Sequence, residues 1–390
     1  MKIKNIEKVS DRIKRAIKDD EKIILYGDAD LDGTASVVIL KESIEAIRGA
    51  VFYIYFPDRG DKEGYGLNNG ALQIIKEKSG DRKILLIVMD CGITNFNETI
   101  VAKKLGIDII IIDHHQPHKE LPEADIIICP KQKDDKYPFK DFSNAGIIFK
   151  LAEEILGNSF SEFRAGFSEL AALATIADMM KQESDNKEII DEGLRSLLVT
   201  SRLGLKSFWD ANLFKKEETI RDVAQKIVSL CSASEVIEHK TEIFYLLTLR
   251  EKKEIDKIIS RLSEKIEEKH RRILVMAEEA ISQTEVGSMV FYGKDDWEVR
   301  YIGAAASKVE NEINRPVFLY KHGKTTSRGA VRVPPGLNAV DMMSKSSDIL
   351  ISYGGHPPAA GFNIKNKNLN EFKNRLIQYY KEYEKSNNLH

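Results

Sequence analysis

The stretch "KIILYGDADLDG", residues 22–33, decides the fold of the first half of the chain. An apolar run rich in β-branched residues ends on a glycine, and three carboxylates, Asp28, Asp30 and Asp32, follow at alternate positions. A short apolar run bounded by turn residues is typical of a buried strand. We therefore predict a strand whose carboxyl end carries a concentration of negative charge.

The same pattern recurs along the chain from Glu21 to about Asp178. Short apolar runs alternate with segments of helical periodicity, and the runs include "VFYIYF" (51–56), "KILLIVMD" (83–90) and "IDIIIID" (107–113). Continuous apolar strands that alternate with helices indicate a parallel sheet covered on both faces. We therefore predict an α/β fold whose first domain is a doubly wound parallel sheet.

A long charged segment separates this region from a second set of short strands. The segment "EKKEIDKIISRLSEKIEEKHRRILVMAEEAI", residues 251–281, contains no glycine or proline and is amphipathic, which predicts a long connecting helix. After Gly287 short strands return, interrupted by a helical "AASKVENEI". We predict a first domain over 1–210, a helical connector over 211–283 and a smaller α/β domain over 284–390.

The composition limits the classes of function. The 59 Lys and Arg residues nearly balance the 61 Asp and Glu residues, giving a net charge of −2, so an anionic substrate must be held by local groups. The three cysteines, Cys91, Cys129 and Cys231, show no CxxC spacing, which argues against a zinc knuckle or a disulfide framework. No apolar run approaches the roughly 20 residues that a membrane span needs, so we predict a cytoplasmic protein without membrane contact.

Three predicted strands end in acidic side chains. Besides the first stretch, the second run ends on Asp90, and the third ends on Asp113 and continues as His114 and His115. Ligands bind beyond the carboxyl ends of parallel strands, so we expect these groups to meet at one edge of the sheet. Crowded carboxylates stay ionised only when cations lie between them, and this mixture of ligands suits Mn²⁺ or Mg²⁺. The alternative for the first stretch taken alone is an Asp-rich turn.

The ordered motifs "GDADLDG" (27–33), "MDCGIT" (89–94) and "IIDHH" (111–115) resemble those of the DHH phosphoesterase superfamily. The segments "FPDRGDKEGYGLN" (56–68) and "SNAGIIFKLAEE" (143–154) are similar to its RecJ-like branch, and "YGGHPPAAGF" (353–362) is similar to the small DHHA1 domain. The resemblance implies a DHH catalytic domain over 1–210 and a DHHA1 substrate-binding domain over 284–390.

The resemblance also implies a metal centre that holds two Mn²⁺ ions, with Mg²⁺ as the alternative. The implied ligands are Asp28, Asp30, Asp32, Asp90, His114 and Asp178. Asp90 would bridge the two ions. The resemblance leaves open which ion each of Asp28, Asp30 and Asp32 binds, and whether one of these three contacts a ligand instead of an ion. The implied catalytic residues are Asp90, His115 facing the phosphate, and Asp113 orienting the imidazoles.

Substrate-binding residues are implied in both domains. In the second domain the loop of Gly354, Gly355 and His356 would close over the nucleotide. Arg332 would bind a backbone phosphate through its two-pronged guanidinium, with Arg328 as the neighbouring alternative. In the first domain Arg59 and Tyr65 are candidate substrate contacts.

The function that the resemblance implies is a manganese-dependent exonuclease. It would hydrolyse phosphodiester bonds of single-stranded DNA or RNA to mononucleotides, in DNA replication and repair or in RNA turnover. One alternative is a nanoRNase or small-nucleotide phosphodiesterase, and another is a replication scaffold. A partnership with replication or repair proteins, helicase or GINS-like, is compatible with each. The sequence leaves cleavage polarity and the choice between DNA and RNA open.

Overall fold

The computed structural model describes residues 1–58, 63–211, 213–214, 218–283 and 289–386. The chain divides into two compact units, 1–264 and 265–390, and the division falls within the long helix Lys252–Ser282. Each unit is built on its own five-stranded sheet. The predicted α/β class is confirmed, with a parallel sheet in the first unit and a mixed sheet in the smaller second unit.

The elements of the first unit follow the predicted alternation. Its strands are β1 (Lys22–Gly27), β2 (Val51–Tyr55), β3 (Ile84–Met89), β4 (Ile107–Ile112), β5 (Ile126–Ile128), β6 (Val236–Ile237) and β7 (Lys240–Thr241). Its helices are α1 (Ile6–Lys18), α2 (Leu31–Ala46), α3 (Asn69–Ser79), α4 (Phe96–Lys104), α5 (Asn144–Leu156), α6 (Phe160–Ala177), α7 (Ser184–Leu197), α8 (Leu203–Asp210), α9 (Ile220–Cys231) and α10 (Glu242–Thr248). The long helix α11 (Lys252–Ser282) begins in this unit.

The first sheet has the strand order β2-β1-β3-β4-β5, and all of its pairings are parallel. Strand β3 is buried along its whole length, as a central strand with both faces covered must be. Helices α3 and α4 pack on one face, where Ile75 and Ala102 join a core with Leu86 and Ile109. Helices α1, α2 and α5 lie against the other face. The sheet is therefore doubly wound, and its carboxyl edge carries the acidic residues.

The second unit is a mixed sheet with helices on both faces. Its strands are β8 (Val290–Lys294), β9 (Val317–His322), β10 (Thr326–Arg332), β11 (Leu350–His356) and β12 (Ala359–Lys365), and its helices are α12 (Val299–Ile313), α13 (Ala339–Ser344) and α14 (Leu369–Ser386). The strand order is β11-β12-β10-β9-β8, with β8 and β9 parallel and the other pairs antiparallel. One face packs against α12 and the end of α11, and the other against α13 and α14.

Among the residues that the structure describes, no helix combines the length and the apolar character that are needed to cross a membrane.

Candidate metal centre

The carboxyl ends of β1, β3 and β4 place three acidic residues at one edge of the first sheet. Each residue extends its strand pairing by one hydrogen bond: the backbone N–H of Asp28 donates to Met89 O (3.2 Å), that of Asp90 to Ile112 O (3.0 Å) and that of Asp113 to Ile128 O (3.0 Å). The strand ladder therefore fixes the backbone from which these carboxylates project. The structure therefore places these three carboxylates at one shared edge of the sheet, as we expected from the sequence.

Several of these side chains lie close enough to hold a cation. Three groups have candidate ligand atoms within 4.8 Å of one another, namely Asp28, Asp30 and Asp90; Asp32, Asp90, His114 and Asp178; and Asp90, His114 and His115. All six predicted metal ligands occur in these groups, and Asp90 belongs to all of them. The geometry therefore contains two neighbouring candidate cation positions that share one carboxylate.

The orientation of His114 provides a direct test of whether a cation fits. Its Nδ1 donates to the carbonyl oxygen of Phe142 (3.0 Å), and burial lowers its pKa, so the imidazole is neutral and Nε2 is an acceptor. Nε2 lies 3.2 Å from Asp90 Oδ1 and 3.3 Å from Asp178 Oδ2. Nε2 and Asp90 Oδ1 are both buried, and neither has a hydrogen-bond partner among the residues that the structure describes. Acceptors that face one another in this way fit a divalent cation between them.

Burial and mutual repulsion raise the proton affinity of the carboxylates in this cluster. Burial, together with the neighbouring acids, raises the pKa of Asp32 and of Asp178 to about 7 and raises the pKa of Asp90 well above its usual range. Without a cation, part of the cluster therefore carries protons near neutral pH. A bound divalent ion reverses this preference because it favours the charged carboxylates.

Asp90 itself has an unusual backbone conformation. Its φ angle is 62°, in the left-handed region, which costs about 1 kcal/mol or more for a residue other than glycine. Its N–H bond to Ile112 O holds the conformation, and Ile93, three residues later, donates its N–H to Asp113 (3.1 Å). Strain of this kind is characteristic of residues whose side chain must be aimed at one point.

The first motif forms the turn from β1 into α2. Asp28 Oδ1 accepts from Ala29 N (2.8 Å), and Asp30 caps α2 by accepting from Gly33 N (3.0 Å). A Cβ at Gly33 would lie 2.3 Å from the carbonyl oxygen of Asp28, so only glycine fits there. The alternating acids and the following glycine are therefore requirements of one tight turn that presents carboxylates at the sheet edge.

Asp32 is held differently, by the start of another helix. Its Oδ2 and Oδ1 accept the backbone N–H groups of Asn144 (2.6 Å) and Ala145 (2.7 Å), the first residues of α5. A carboxylate is favoured at a helix N-terminus because the unpaired N–H groups and the helix dipole point at it. Asp32 therefore anchors α5 to the centre, and its Oδ2 still lies 3.9 Å from His114 Nε2.

His115 and Asp113 form a pair beside the cluster. Asp113 Oδ1 accepts from His115 Nδ1 (2.7 Å), and this hydrogen bond raises the pKa of His115. Burial alone would raise the pKa of Asp113, but His115 and two backbone N–H groups lower it. Nε2 of His115 lies 3.4 Å from the hydroxyl of Tyr65, which also donates to the carbonyl oxygen of Asp90 (3.3 Å). The structure thus links Asp113, His115 and Tyr65 in one chain of contacts.

Sequence reasoning missed two groups that hold the centre. The carbonyl oxygen of Phe142 fixes the tautomer of His114, and the side-chain amide of Asn144, in the orientation that satisfies its neighbours, accepts from Asp90 N (3.1 Å). Both lie at the start of α5, where Ser143 caps the helix by accepting from Gly146 N. The Ser-x-x-Gly start of "SNAG" signals a helix N-terminus, but nothing local says that this terminus meets the acidic edge.

The predicted substrate-binding residues of the second unit lie on two strands of its sheet. Arg328 and Arg332 are on β10, and Gly354, Gly355 and His356 are at the end of β11. Arg332 donates from Nε to Ser307 Oγ (2.8 Å) and from Nη1 to Val331 O (2.8 Å). The remaining predicted contact, Arg59, lies outside the described residues.

Comparisons with known proteins match both halves of the chain. Residues 22–180 match the DHH family N-terminal domain, and residues 280–382 match the DHHA1 domain. The single-stranded-DNA-specific exonuclease RecJ of Bacillus subtilis is 34% identical over 388 residues, which are 96% of this chain and 47% of the relative. The RecJ of Thermus thermophilus is 26% identical, and the match covers 97% of this chain and 54% of that protein. The chain thus spans about half the length of these relatives.

Solved structures agree on the fold. A crystal structure of exonuclease RecJ bound to manganese superposes with a TM-score of 0.73 at 24% identity, covering 97% of this chain and 95% of that one. The Thermus thermophilus RecJ in complex with Mn²⁺ gives a TM-score of 0.72 at 22% identity, covering 97% of this chain and 55% of that one. The domain matches, the relatives and the shared fold lead to one conclusion: this chain belongs to the DHH superfamily as a RecJ-like protein.

Proposed function

We propose that this protein is a metal-dependent phosphodiesterase that removes mononucleotides from single-stranded DNA or RNA. The observation that carries the proposal is the pair of buried acceptors, His114 Nε2 and Asp90 Oδ1, which face each other inside a cluster of carboxylates. Within the described parts of the chain, neither atom has a hydrogen-bond partner. Such a cluster is suited to divalent ions and to phosphoester chemistry. The single-strand-specific exonucleases among its relatives support the same reaction class.

The proposed cofactor is a pair of Mn²⁺ ions, with Mg²⁺ as the alternative. Asp28, Asp30 and Asp90 would hold one ion, and Asp90, His114 and Asp178 would hold the other, with Asp32 close behind the second position. When bound, the ions would supply Lewis-acid stabilisation of phosphoryl oxygens and activation of water. The sharing of Asp90 by both groups supports its assignment as the bridge.

The remaining residues of the centre act on the substrate phosphate. Asp113 accepts a hydrogen bond from Nδ1 of His115 and raises its pKa, and the protonated imidazole would donate a hydrogen bond from Nε2 to a phosphoryl oxygen. Tyr65, whose hydroxyl lies beside that nitrogen, would orient the imidazole or share the same oxygen. Both groups would donate hydrogen bonds to the phosphoryl oxygens on which negative charge develops, and such donors stabilise the transition state.

We further propose that residues 1–210 form the catalytic domain and that residues 284–390 form a domain that binds the nucleic-acid strand. Residues 211–283 would connect the two domains. Arg332, Arg328, His356 and the glycines before it would provide phosphate contacts, and Arg59 of the first domain remains a proposed contact. Because the net charge is only −2, such local cations must provide the attraction. A cytoplasmic role in DNA replication and repair, with helicase or GINS-like partners, or in RNA turnover belongs to the same proposal.

A time course with end-labelled single-stranded DNA and RNA tests the activity. The oligonucleotides carry the label at either end, and the protein is supplied with Mn²⁺, with Mg²⁺ or with EDTA. We expect stepwise shortening with release of mononucleotides, only with a divalent ion. Absence of cleavage with either ion would contradict the proposal. The end whose label is released first gives the polarity of cleavage. A comparison of the rates on a dinucleotide and on a longer oligonucleotide distinguishes the nanoRNase alternative, which would prefer the dinucleotide.

The Asp90→Asn variant tests the proposed bridge. Substitution of a residue that only contacts a metal ligand already lowers metal affinity or activity by about 10- to 100-fold. Because Asp90 is proposed as a ligand itself, we expect turnover to fall by more than about 100-fold. The matched control is Asp256→Asn, an exposed aspartate on α11 that pairs with Lys252 and should leave turnover unchanged. Circular dichroism should show both variants folded. A folded Asp90→Asn protein with full activity would remove Asp90 from the centre.

A further inference from the structure

Residues 63–68, the Tyr65 segment, lie between β2 and α3 and carry the tyrosine that contacts His115. Tyr65 stands between two glycines with left-handed backbones, Gly64 with a φ of 74° and Gly66 with a φ of 86°. Glycine also has access to many other conformations, so these positions do not by themselves restrain the chain. The side chain of Tyr65 is exposed, so packing does not restrain it either. The place of its hydroxyl must therefore be fixed by contacts of the flanking backbone.

Asn95, which lies between β3 and α4, binds that backbone. Its Oδ1 accepts from Leu67 N (3.2 Å), and its Nδ2 donates to Leu67 O (3.0 Å). The side-chain amide thus pairs with both polar groups of Leu67, as a neighbouring strand would. A Cβ at Gly66 would lie 2.7 Å from Asn95 Oδ1, and Gly66 O accepts from the buried hydroxyl of Tyr26 (2.7 Å). The Tyr65 segment is therefore anchored immediately after the tyrosine.

Asn95 makes this contact in place of its usual local one. It is the N-cap residue of α4, and an asparagine at that position commonly accepts a backbone N–H of the first helical turn. Among the described residues, none of the first-turn N–H groups of α4 donates to its side chain. Its Nδ2 also donates to Glu98 Oε2 (3.1 Å), which fixes the orientation of the amide. The side chain thus serves a tertiary contact and not the start of its own helix.

The loop that carries Asn95 also carries Asp90, so one short stretch of chain meets both the metal centre and the Tyr65 segment. Tyr65 donates to Asp90 O (3.3 Å), and its hydroxyl lies 3.4 Å from His115 Nε2. Leu67 is buried and only two residues away, which limits the Cα atom of Tyr65 to about 7 Å from that anchor. The pairing of Asn95 with Leu67 therefore sets how far the tyrosine can move from the imidazole.

We propose that Asn95 is a positioning residue for the reaction, which holds the Tyr65 hydroxyl at His115 Nε2 through its pairing with Leu67. This inference rests on the proposed function, in which Tyr65 acts beside the imidazole that faces the phosphate. Asn95 itself contacts neither the ions nor the phosphate in this arrangement. Its substitution should therefore lower kcat through Tyr65 and leave the Mn²⁺ concentration for half-maximal activity unchanged.

A double-mutant cycle tests whether Asn95 acts through Tyr65. The kcat on single-stranded DNA at saturating Mn²⁺ is measured for the wild type, Asn95→Ala, Tyr65→Phe and the variant with both changes. Loss of one hydrogen bond to a charged group corresponds to about tenfold in rate, which we expect for each single change. Because both changes remove the same contact, the combined variant should also lose about tenfold. A combined loss of about 100-fold, or a wild-type kcat in Asn95→Ala, would overturn the inference.

Hydrogen exchange tests the anchoring without any reaction. Exchange is followed by mass spectrometry in EDTA on peptides that cover residues 63–68. These peptides should exchange faster in Asn95→Ala than in the wild type, because Leu67 N–H loses its acceptor. Unchanged exchange would overturn the inference. A wild type that does not hydrolyse DNA would refute the proposed function and leave the exchange result standing.

The matched control is Asn366→Ala, in the second unit. The side chain of Asn366 donates to Gly323 O (2.7 Å) and accepts from Ser327 Oγ (2.9 Å), so the variant also loses two amide hydrogen bonds. It should change neither kcat nor the exchange of residues 63–68. Equal losses of kcat in Asn366→Ala and Asn95→Ala would overturn the specific role of Asn95. Circular dichroism checks that both variants are folded.

Discussion

Asp90 is the residue on which the candidate centre depends. Its side chain belongs to every group of candidate ligands, its backbone adopts a left-handed conformation, and its Oδ1 is buried opposite Nε2 of His114. A buried carboxylate that faces another acceptor is costly unless a cation compensates it. Among the described residues this oxygen has no hydrogen-bond donor, so a divalent ion at this point would compensate its burial.

Tyr65 offers a prediction at the scale of one hydroxyl group. The Tyr65→Phe change removes the oxygen that contacts His115 Nε2 and Asp90 O, while the ring remains. One hydrogen bond to a charged group corresponds to about tenfold in rate, so we expect kcat to fall by about tenfold with little change in stability. Steady-state kinetics on single-stranded DNA measures the effect.

The control for this change is Tyr137→Phe. Tyr137 donates its hydroxyl to Asp185, away from the acidic edge, so the variant loses a hydrogen bond of the same type without touching the centre. It should retain the wild-type kcat. Equal kcat values for Tyr65→Phe and the wild type would show that the Tyr65 hydroxyl has no part in turnover.

The pair of Asp113 and His115 predicts a change in the pH profile. Asp113 raises the pKa of His115, and the proposed role of His115 needs the protonated imidazole. Activity should therefore decline as the pH rises through that pKa. In Asp113→Asn the imidazole loses its charged partner, so the decline should move to lower pH. Rates measured across the pH range at saturating Mn²⁺ test this, and an unshifted alkaline limb would contradict it.

At the scale of elements, the start of α5 is the structural support of the centre. Ser143 caps the helix, Asn144 and Ala145 hold Asp32, and the carbonyl oxygen of Phe142 orients His114. The sequence indicates a helix start here through its Ser-x-x-Gly pattern. It does not indicate the contacts with Asp32, 112 positions away in the chain, and with His114, 28 positions away, because neither contact is local.

The cap of α5 gives a stability prediction. Ser143→Ala removes the oxygen that accepts from Gly146 N and should lower the free energy of unfolding by about 1 kcal/mol. Ser143 Oγ also contacts Thr175 Oγ1 (3.0 Å), but Thr175 donates to Ala171 O and so keeps a hydrogen-bond partner in the variant. Urea denaturation monitored by circular dichroism measures the change. Ser161→Ala, in an exposed position on α6, should change stability little, and an equal loss in both variants would exclude a specific capping effect.

At the scale of the whole molecule, the charge of the centre links stability to pH and metal. The pKa of Asp32 and that of Asp178 are about 7 in the folded protein, whereas an unfolded aspartate titrates near 3.9. Between those values the folded state binds more protons than the unfolded state. The stability of the metal-free protein should therefore fall as the pH rises from about 4 to 7, and the loss is complete above that range.

Added Mn²⁺ should restore this stability, and most strongly above pH 7, since metal and protons compete for the same oxygens. Thermal unfolding midpoints at several pH values, in EDTA and in Mn²⁺, measure both effects. In Asp90→Asn, which carries one charge less in the cluster, the metal-free midpoint should depend less on pH. A metal-free midpoint that stays constant or rises across the window would contradict the pKa assignments.

The sequence by itself determined the buried strands, the acids at their ends, the long helix over 252–282 and the α/β class. These features are local, because apolar periodicity and turn residues act over a few neighbouring positions. It also placed Asp28, Asp90 and His114 just after strand ends, from which a common edge follows once the strands are parallel.

Only the tertiary structure decided the order β2-β1-β3-β4-β5, the anchoring of Asp32 by α5 and the opposition of His114 to Asp90 and Asp178. The same is true of the strand register that brings Arg332 of β10 into line with Ala359 and His356 of the two neighbouring strands. Strand order, register and helix docking depend on the packing of distant segments, whose energies no local pattern carries. The sequence therefore specifies which chemical groups are present and on which local elements they lie. The tertiary structure decides which of these groups come into contact.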